Sequence, residues 1–293
     1  MSKMDSLEKQ LEIFQNVGNI AVRKFPLFGQ ASIQLLNYSE NATYLVTNET
    51  NKEKYILRVC RPNYHTKEEI GNELFFMQSI AKDSKITVPK PIKGEKDEYI
   101  QEVEWNDFTY YCTAFTFLEG ELPNEDNENE LVEQFEGLGE VTALLHEHSI
   151  KNWDTFNELK RLTWDFDTVI GRNPKWARWQ DGLGMTPERL ELLQQVCDKI
   201  EARLKKFGKS NDRFGLIHGD LRLANLLVDS DQLKVIDFDD CGFGWYLFDL
   251  GTALSFIEHK PYVPKLVESW VKGYEKVRTL SKEEKDEIPT FIL

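Results

Sequence analysis

Cysteine is scarce in this chain of 293 residues: there are four, Cys60, Cys112, Cys197 and Cys241. They lie far apart and form no C-x-x-C pair, which argues against a zinc site or a redox couple and fits reduced thiols in a cytoplasmic protein. The sequons at Asn41-Ala42-Thr43 and Asn48-Glu49-Thr50 then read as chance matches. Long apolar runs are also missing. No stretch nears the run of about 18 apolar residues that a membrane helix needs, and the opening MSKMDSLEKQLEIFQ has no apolar core of a signal peptide. Positive charge is in deficit: 36 Lys and Arg face 50 Asp and Glu, a formal net charge of −14. Nucleic acid and anionic membrane surfaces, both bound through Lys and Arg, are therefore poor partners. There is no G-x-x-x-x-G-K-[ST], so the P-loop route to a nucleotide is closed. Internal repeats and low-complexity linkers are absent too.

What is present changes texture along the chain. Residues 6–25 carry leucines, Ile13 and Phe14 at roughly helical spacing. From 31 to 60, ASIQLLNY, ATYLVTN and KYILRVC are short, β-branched or aromatic and separated by polar turns, the pattern of a hairpin series. KEEIGNELFFMQSIAK over 67–82 returns to a 3.6-residue period, and VPKP ends it. DEYIQEVEW and TYYCTAFTFLEG read as further strands. Helical patterns then dominate at 130–148, 187–206 and 262–278. A Trp-rich stretch runs from Trp153 to Trp179 and reads as helical. The composition shift near 116–121 divides the chain into 1–117 and 118–293, two packed lobes. At the end, KEEKDEIPTFIL reads as a helix start with Pro289 in its first turn.

The chemistry gathers in LIHGDLRLANLLVDSDQLKVIDFDD, from Leu216 to Asp240. Carboxylates are costly to bury unless paired or holding a metal. Here His218-Gly219-Asp220 precedes Asn225, and Asp237 follows twelve residues later. Two apolar strands, LANLLVD and LKVIDFD, flank the turn DSDQ. A hairpin there brings Asn225 and Asp237 to one end, and their hard oxygens suit Mg²⁺. Asp220 would project beside them, where a substrate hydroxyl must be oriented for phosphoryl transfer.

H-G-D-x-x-x-x-N followed by I-D-F-D resembles the catalytic and metal-binding segments of the protein-kinase-like superfamily. H-G-D in place of H-R-D, D-F-D in place of D-F-G, and the later Phe248-Asp249-Leu250 are more similar to its small-molecule branch. That branch holds the aminoglycoside phosphotransferases, choline kinases and homoserine-kinase-type enzymes. The resemblance implies an α+β, bilobal kinase-like fold, with a small β-rich N-lobe and a larger, mostly helical C-lobe. It implies ATP or GTP as phosphate donor, Mg²⁺ held by Asn225 and Asp237, Asp220 as the base and His218 as a brace of its loop. The phosphate-covering turn corresponds to Ser39-Glu40-Asn41-Ala42-Thr43. It has no G-x-G-x-x-G, so backbone amides and the Ser39 or Asn41 side chains would do the cradling. Arg58 stands where protein kinases have Lys, and an Arg also holds phosphate, bidentately. Its expected partner is Glu73, with Glu69 as the fallback. Thr116-Phe117-Leu118-Glu119-Gly120 matches the hinge whose backbone meets the nucleotide base. Leu138-Gly139 through Leu144-Leu145-His146 resembles the helix that supports the catalytic loop.

The implied activity is transfer of a γ-phosphate to a hydroxyl of a small molecule: an aminoglycoside, homoserine or another amino alcohol, choline or a sugar derivative. An amine-bearing, cationic acceptor suits the acidic balance. Residues 121–140 carry eight carboxylates and no basic residue; such a run is a solvated face or an attractor for a cation. Trp153, Trp164, Trp176 and Trp179 are expected mainly in packing. The alternative reading is a catalytically weak nucleotide-binding module on a kinase fold. A protein kinase is disfavoured because only eleven residues separate Asp237 from Asp249, too few for an activation segment.

Overall fold

The computed structural model describes residues 3–230 and 232–293; Asp231, in the turn DSDQ, lies outside them. The fold is α+β. Two compact units emerge, one of residues 1–82 and 88–119, the other of 83–87 and 120–293.

The first unit opens with helix α1 (Lys3–Ala21) and strands β1 (Ala31–Tyr38), β2 (Ala42–Asn48) and β3 (Lys54–Val59). Helix α2 (Lys67–Asp83) and strands β4 (Pro91–Ile92), β5 (Ile100–Trp105) and β6 (Phe108–Thr116) follow. The strands form an antiparallel sheet in the order β1-β2-β3-β6-β4, with β5 also on β6. Alternation builds its core. Along β2, Ala42, Tyr44 and Val46 are buried while the residues between are half-exposed, as expected for a strand with one covered face. Phe14 and Val17 of α1 pack with Tyr44, Leu57 and Val59 in that core.

Helix α2 begins with a reciprocal cap. The Thr66 hydroxyl accepts from Glu69 N at 3.2 Å, and Thr66 N donates to Glu69 Oε2 at 2.7 Å. This is a capping box, and it commits Glu69. Ile70, Leu74, Met77 and Ile80 form the buried face of α2, and Glu73 lies among them.

The second unit contains α3 (Glu128–Lys151), α4 (Trp153–Phe156), β7 (Leu162–Trp164), α5 (Phe166–Val169) and α6 (Pro187–Phe207). Strands β8 (Phe214–Ile217), β9 (Leu226–Asp229), β10 (Gln232–Val235) and β11 (Gly242–Trp245) come next, then α7 (Tyr246–Ala253), α8 (Val263–Tyr274) and α9 (Lys282–Ile292). The Trp-rich stretch is not simply helical. It holds β7, which pairs parallel with β11, while β11 pairs antiparallel with β8. Helices α3 and α8 pack closely, and a Cβ on Gly273 would collide with the Glu136 carbonyl. Pro289 sits in the last turns of α9 rather than its first. The helix instead starts at Ser281, whose hydroxyl accepts from Glu284 N at 3.2 Å while Glu284 Oε2 accepts from Ser281 N at 2.8 Å. The chain's last residues dock through buried Ile288 and Thr290.

Among the described residues, no helix is long and apolar enough to cross a membrane.

Candidate active site

The hairpin of β9 and β10 pairs Leu226 with Val235, and Ile236 N donates to Asn225 O at 3.0 Å. That register sets Asn225 and Asp237 at one end of the hairpin. Asp237 takes a left-handed backbone, φ 62°, a conformation Asp tolerates better than most residues and one frequent at functional sites. Its Oδ1 accepts from Asp239 N at 3.4 Å.

Asp220 lies on the preceding loop. Asn225 Nδ2 donates to Asp220 O at 2.8 Å and to Asp220 Oδ2 at 2.7 Å. Arg222 Nε donates to the same Oδ2 at 3.0 Å. Both donors converge on one carboxylate oxygen, so Oδ1 is the oxygen Asp220 has left for a ligand. The Asn225 amide, with its nitrogen turned to Asp220, has its carbonyl oxygen left in the same way. Gly219 makes the loop possible: its φ is +83°, and a Cβ there would lie 2.5 Å from Asp240 O and 2.7 Å from Trp164 Nε1.

His218 is fully buried. Its Nδ1 accepts from Asp220 N at 3.3 Å, so Nε2 carries the proton and donates to Ile236 O at 3.1 Å. Both ring nitrogens therefore serve the backbone. The ring thus ties its own loop to the backbone at Ile236, contacts that position the loop.

The loop is anchored from below. Asp249 accepts from His218 N at 3.2 Å and from Gly219 N at 2.8 Å. His146 Nε2 donates to Asp249 Oδ2 at 3.0 Å, and Tyr274 OH donates to His146 Nδ1 at 2.8 Å. Arg278 Nη1 donates in turn to Tyr274 OH at 3.1 Å. Burial pushes the His146 imidazole below its ordinary pKa, against the opposing pull of Asp249, and a neutral ring is what this donor order requires.

In the first unit, Arg58 Nη2 meets Glu73 Oε2 at 2.7 Å with side-chain exposures of 6% and 0%. Glu73, at the core of α2, is a partner of Arg58. Ser39 is exposed and caps a turn with Asn41, its amide donating to Asn41 O at 3.1 Å. The Asn41 side chain is buried and accepts from Arg61 N at 3.1 Å, so it braces the turn. The Thr116 amide donates to Lys90 O at 3.0 Å and its hydroxyl accepts from Lys90 N at 2.9 Å, which commits it to the sheet. Leu118 is half-buried.

A metal fits the second cluster. Asn225 and Asp237 supply two hard oxygens, and among the described residues no group of three or more His, Cys, Asp or Glu gathers as a metal site.

The acidic run has an internal explanation. Glu128 pairs with Lys265 at 2.6 Å, and Glu136 with Lys272 at 2.6 Å and Lys276 at 2.8 Å. Lys265 and Lys272 of α8, and Lys276 just after it, thus answer Glu128 and Glu136 of α3 and pair part of that acidic face. Of the tryptophans, Trp164 is buried and donates to Asp240 O at 2.7 Å, whereas Trp176 is 54% exposed. Half-buried Trp179 lines a cavity of about 790 Å³ with Asp165, Phe166, Asp167, Lys209 and Trp245. That cavity is not lined by Asp220, Asn225 or Asp237.

Sequence reading misses two residues here. Arg161, buried, donates to the carbonyls of Asp239 and Cys241 and fixes the segment after Asp237. Arg222 touches Asp220; its place two residues after the base is the one signal that could have flagged it.

The sequence pattern of the phosphotransferase enzyme family matches residues 33–284. A solved microcompartment-associated aminopropanol kinase is 39% identical, covers 94% of this chain and 85% of its own, and superposes with a TM-score of 0.86. A solved amicoumacin kinase, hAmiN, in complex with AMP-PNP, Ca²⁺ and Ami, is 20% identical, with 97% and 84% of the two chains covered and a TM-score of 0.77; at that identity it speaks for the fold. The amicoumacin kinase of Bacillus subtilis (strain 168) is 24% identical over 239 residues. That match spans 81% of this chain but 66% of the relative, just under two thirds of its length.

Proposed function

Since the chain belongs to the phosphotransferase enzyme family, we propose that it is a small-molecule kinase. It moves the γ-phosphate of ATP, or of GTP, to the hydroxyl of an amino alcohol. The observation that carries the reading is the loop at Asp220, where Arg222 Nε and Asn225 Nδ2 both donate to Asp220 Oδ2 and leave Oδ1 and the Asn225 carbonyl oxygen for a ligand among the described residues. The 39% identity to an aminopropanol kinase makes aminopropanol the first acceptor to try.

The residues divide the work. Asp220 Oδ1 accepts a hydrogen bond from the acceptor hydroxyl and orients its oxygen in line with the γ-phosphorus. The new O–P bond forms as the bond to the β,γ-bridging oxygen breaks, ADP leaves, and the hydroxyl proton passes to Asp220. Asn225 and Asp237 would hold Mg²⁺, which when bound neutralises charge on the phosphates. Arg58, fixed by Glu73, would hold nucleotide phosphate, and the Ser39–Thr43 turn would cover it. His218, Asp249 and His146 keep the loop rigid, so little reorganisation is needed at the moment of transfer.

The test is nucleoside-diphosphate release from ATP or GTP with Mg²⁺ against aminopropanol, ethanolamine, choline, homoserine and an aminoglycoside. We expect release that depends on an amino alcohol. Nucleotide turnover that ignores every acceptor would instead favour a hydrolase, and failure to bind nucleotide would end the reading.

A further inference from the structure

We propose that helix α9 belongs to the frame of the active site: Tyr274, Arg278 and Glu284 are positioning residues that fix the tautomer of His146 and, through Asp249, the loop that carries Asp220. The proposal rests on the kinase reading above.

A line of buried groups carries it. Glu284 stands in the first turn of α9, and its two carboxylate oxygens have separate tasks. Oε2 accepts from Ser281 N at 2.8 Å and closes the helix cap. Oε1 accepts from Arg278 Nη2 at 2.7 Å, and the Arg278 and Glu284 side chains are 12% and 8% exposed. Arg278 Nη1 donates to the hydroxyl of fully buried Tyr274. From there the line runs through His146 and Asp249 to the amides of His218 and Gly219.

Both ends set the polarity of this line. Asp249, a carboxylate, only accepts, and Arg278, a guanidinium, only donates. Between them a neutral His146 must carry its proton on Nε2 and take the Tyr274 hydroxyl proton as a hydrogen bond at Nδ1. Burial and the Arg278 charge both disfavour a second proton on that ring. Asp249 therefore keeps its full acceptor strength for two successive amides directly before Asp220, and a turn of its carboxylate would move the base.

Packing gives an independent reason. Asp249 sits on α7, two residues before Gly251, and a Cβ on Gly251 would collide with the Phe291 carbonyl of α9. The Phe291 ring also meets Trp245, just before α7, with centroids 5.9 Å apart. Helix α9 thus braces the element that bears the anchor at two points, besides ending the hydrogen-bonded line.

Two variants cut the line with little change of bulk. Tyr274→Phe removes one hydroxyl. The double variant Arg278→Met with Glu284→Gln removes the donor without stranding a buried carboxylate, and Gln still closes the cap. Nitrogen-15 NMR of the histidine rings reads His146, assigned against His146→Gln. Nucleoside-diphosphate release from Mg-ATP or Mg-GTP with the amino alcohols tested above reads turnover. We expect one neutral tautomer in wild type, with the proton on Nε2. In Tyr274→Phe the Nδ1 signal should move to that of an unbonded nitrogen, and in the double variant it should split between accepting and protonated forms. In both, kcat should fall about 10²-fold, the scale of a small misplacement of a reacting group, with KM and Mg-nucleotide affinity unchanged. A wild-type ring protonated on Nδ1 would overturn the proposal. So would wild-type kcat in Tyr274→Phe, or a loss of kcat matched by losses of nucleotide affinity and melting temperature. A wild type that turns over none of the amino alcohols would overturn the kinase reading, and the proposal with it, even where the ring shows the expected tautomer.

Discussion

Arg58 and Glu73 close on each other, whereas Asp220, Arg222 and Asn225 stay open. The first pair is buried on both sides. In the second cluster the Asp220 and Arg222 side chains are 24% and 39% exposed. The difference separates two uses of charge. A buried pair costs desolvation that its own attraction roughly offsets, so its value is a fixed guanidinium. An open cluster gains little stability from its ion pair and keeps its bonding capacity for a ligand.

That contrast can be broken from the open side first. Asp220→Asn keeps the shape and removes the base, and turnover should fall about 10²- to 10⁴-fold with Mg-nucleotide affinity and melting temperature held. A melting temperature that collapses would show the cluster to be structural. From the closed side, Arg58→Ala strands a buried carboxylate and should cost about 3–5 kcal/mol in denaturant unfolding. Replacing both, Arg58→Met with Glu73→Leu, should regain most of that stability while nucleotide affinity stays lost. Next comes pH. Burial, partly countered by Asp249, holds His146 below its ordinary pKa of 6.5, so the unfolded chain takes up its proton first. The stability this contributes is present above about pH 6.5 and is lost as pH falls below it. Thermal unfolding should show that slope, and His146→Gln should flatten part of it, the rest remaining with buried His148, whose pKa is also lowered by desolvation. The smallest effect is expected at the surface, where Lys276→Ala removes exposed pairs with Glu136 and Glu140 and should leave unfolding nearly unchanged at physiological salt.

Much of the architecture is legible because local pattern and final packing agree. ASIQLLNY and ATYLVTN become β1 and β2 residue for residue, since alternation and polar turns both mark their ends. The short elements are not legible. Strand β7 has three residues and β11 is Gly-Phe-Gly-Trp, so neither has a period to detect, and each is defined by its pairing, β7 with β11 and β11 with both β7 and β8. In the site, Asp220, Asn225 and Asp237 can be read from spacing because a hairpin turns spacing into proximity. Arg222 and Arg161 cannot, since a single arginine carries no pattern and its partner is fixed only by the fold.

The most direct measurement is phosphorus NMR of wild type incubated with ATP, Mg²⁺ and aminopropanol, beside Asp220→Asn. The account predicts a new phosphomonoester resonance coupled to the carbinol proton, growing with ADP and absent in the variant. Inorganic phosphate as the growing signal, or an ester that forms equally well without the Asp220 carboxylate, would contradict it.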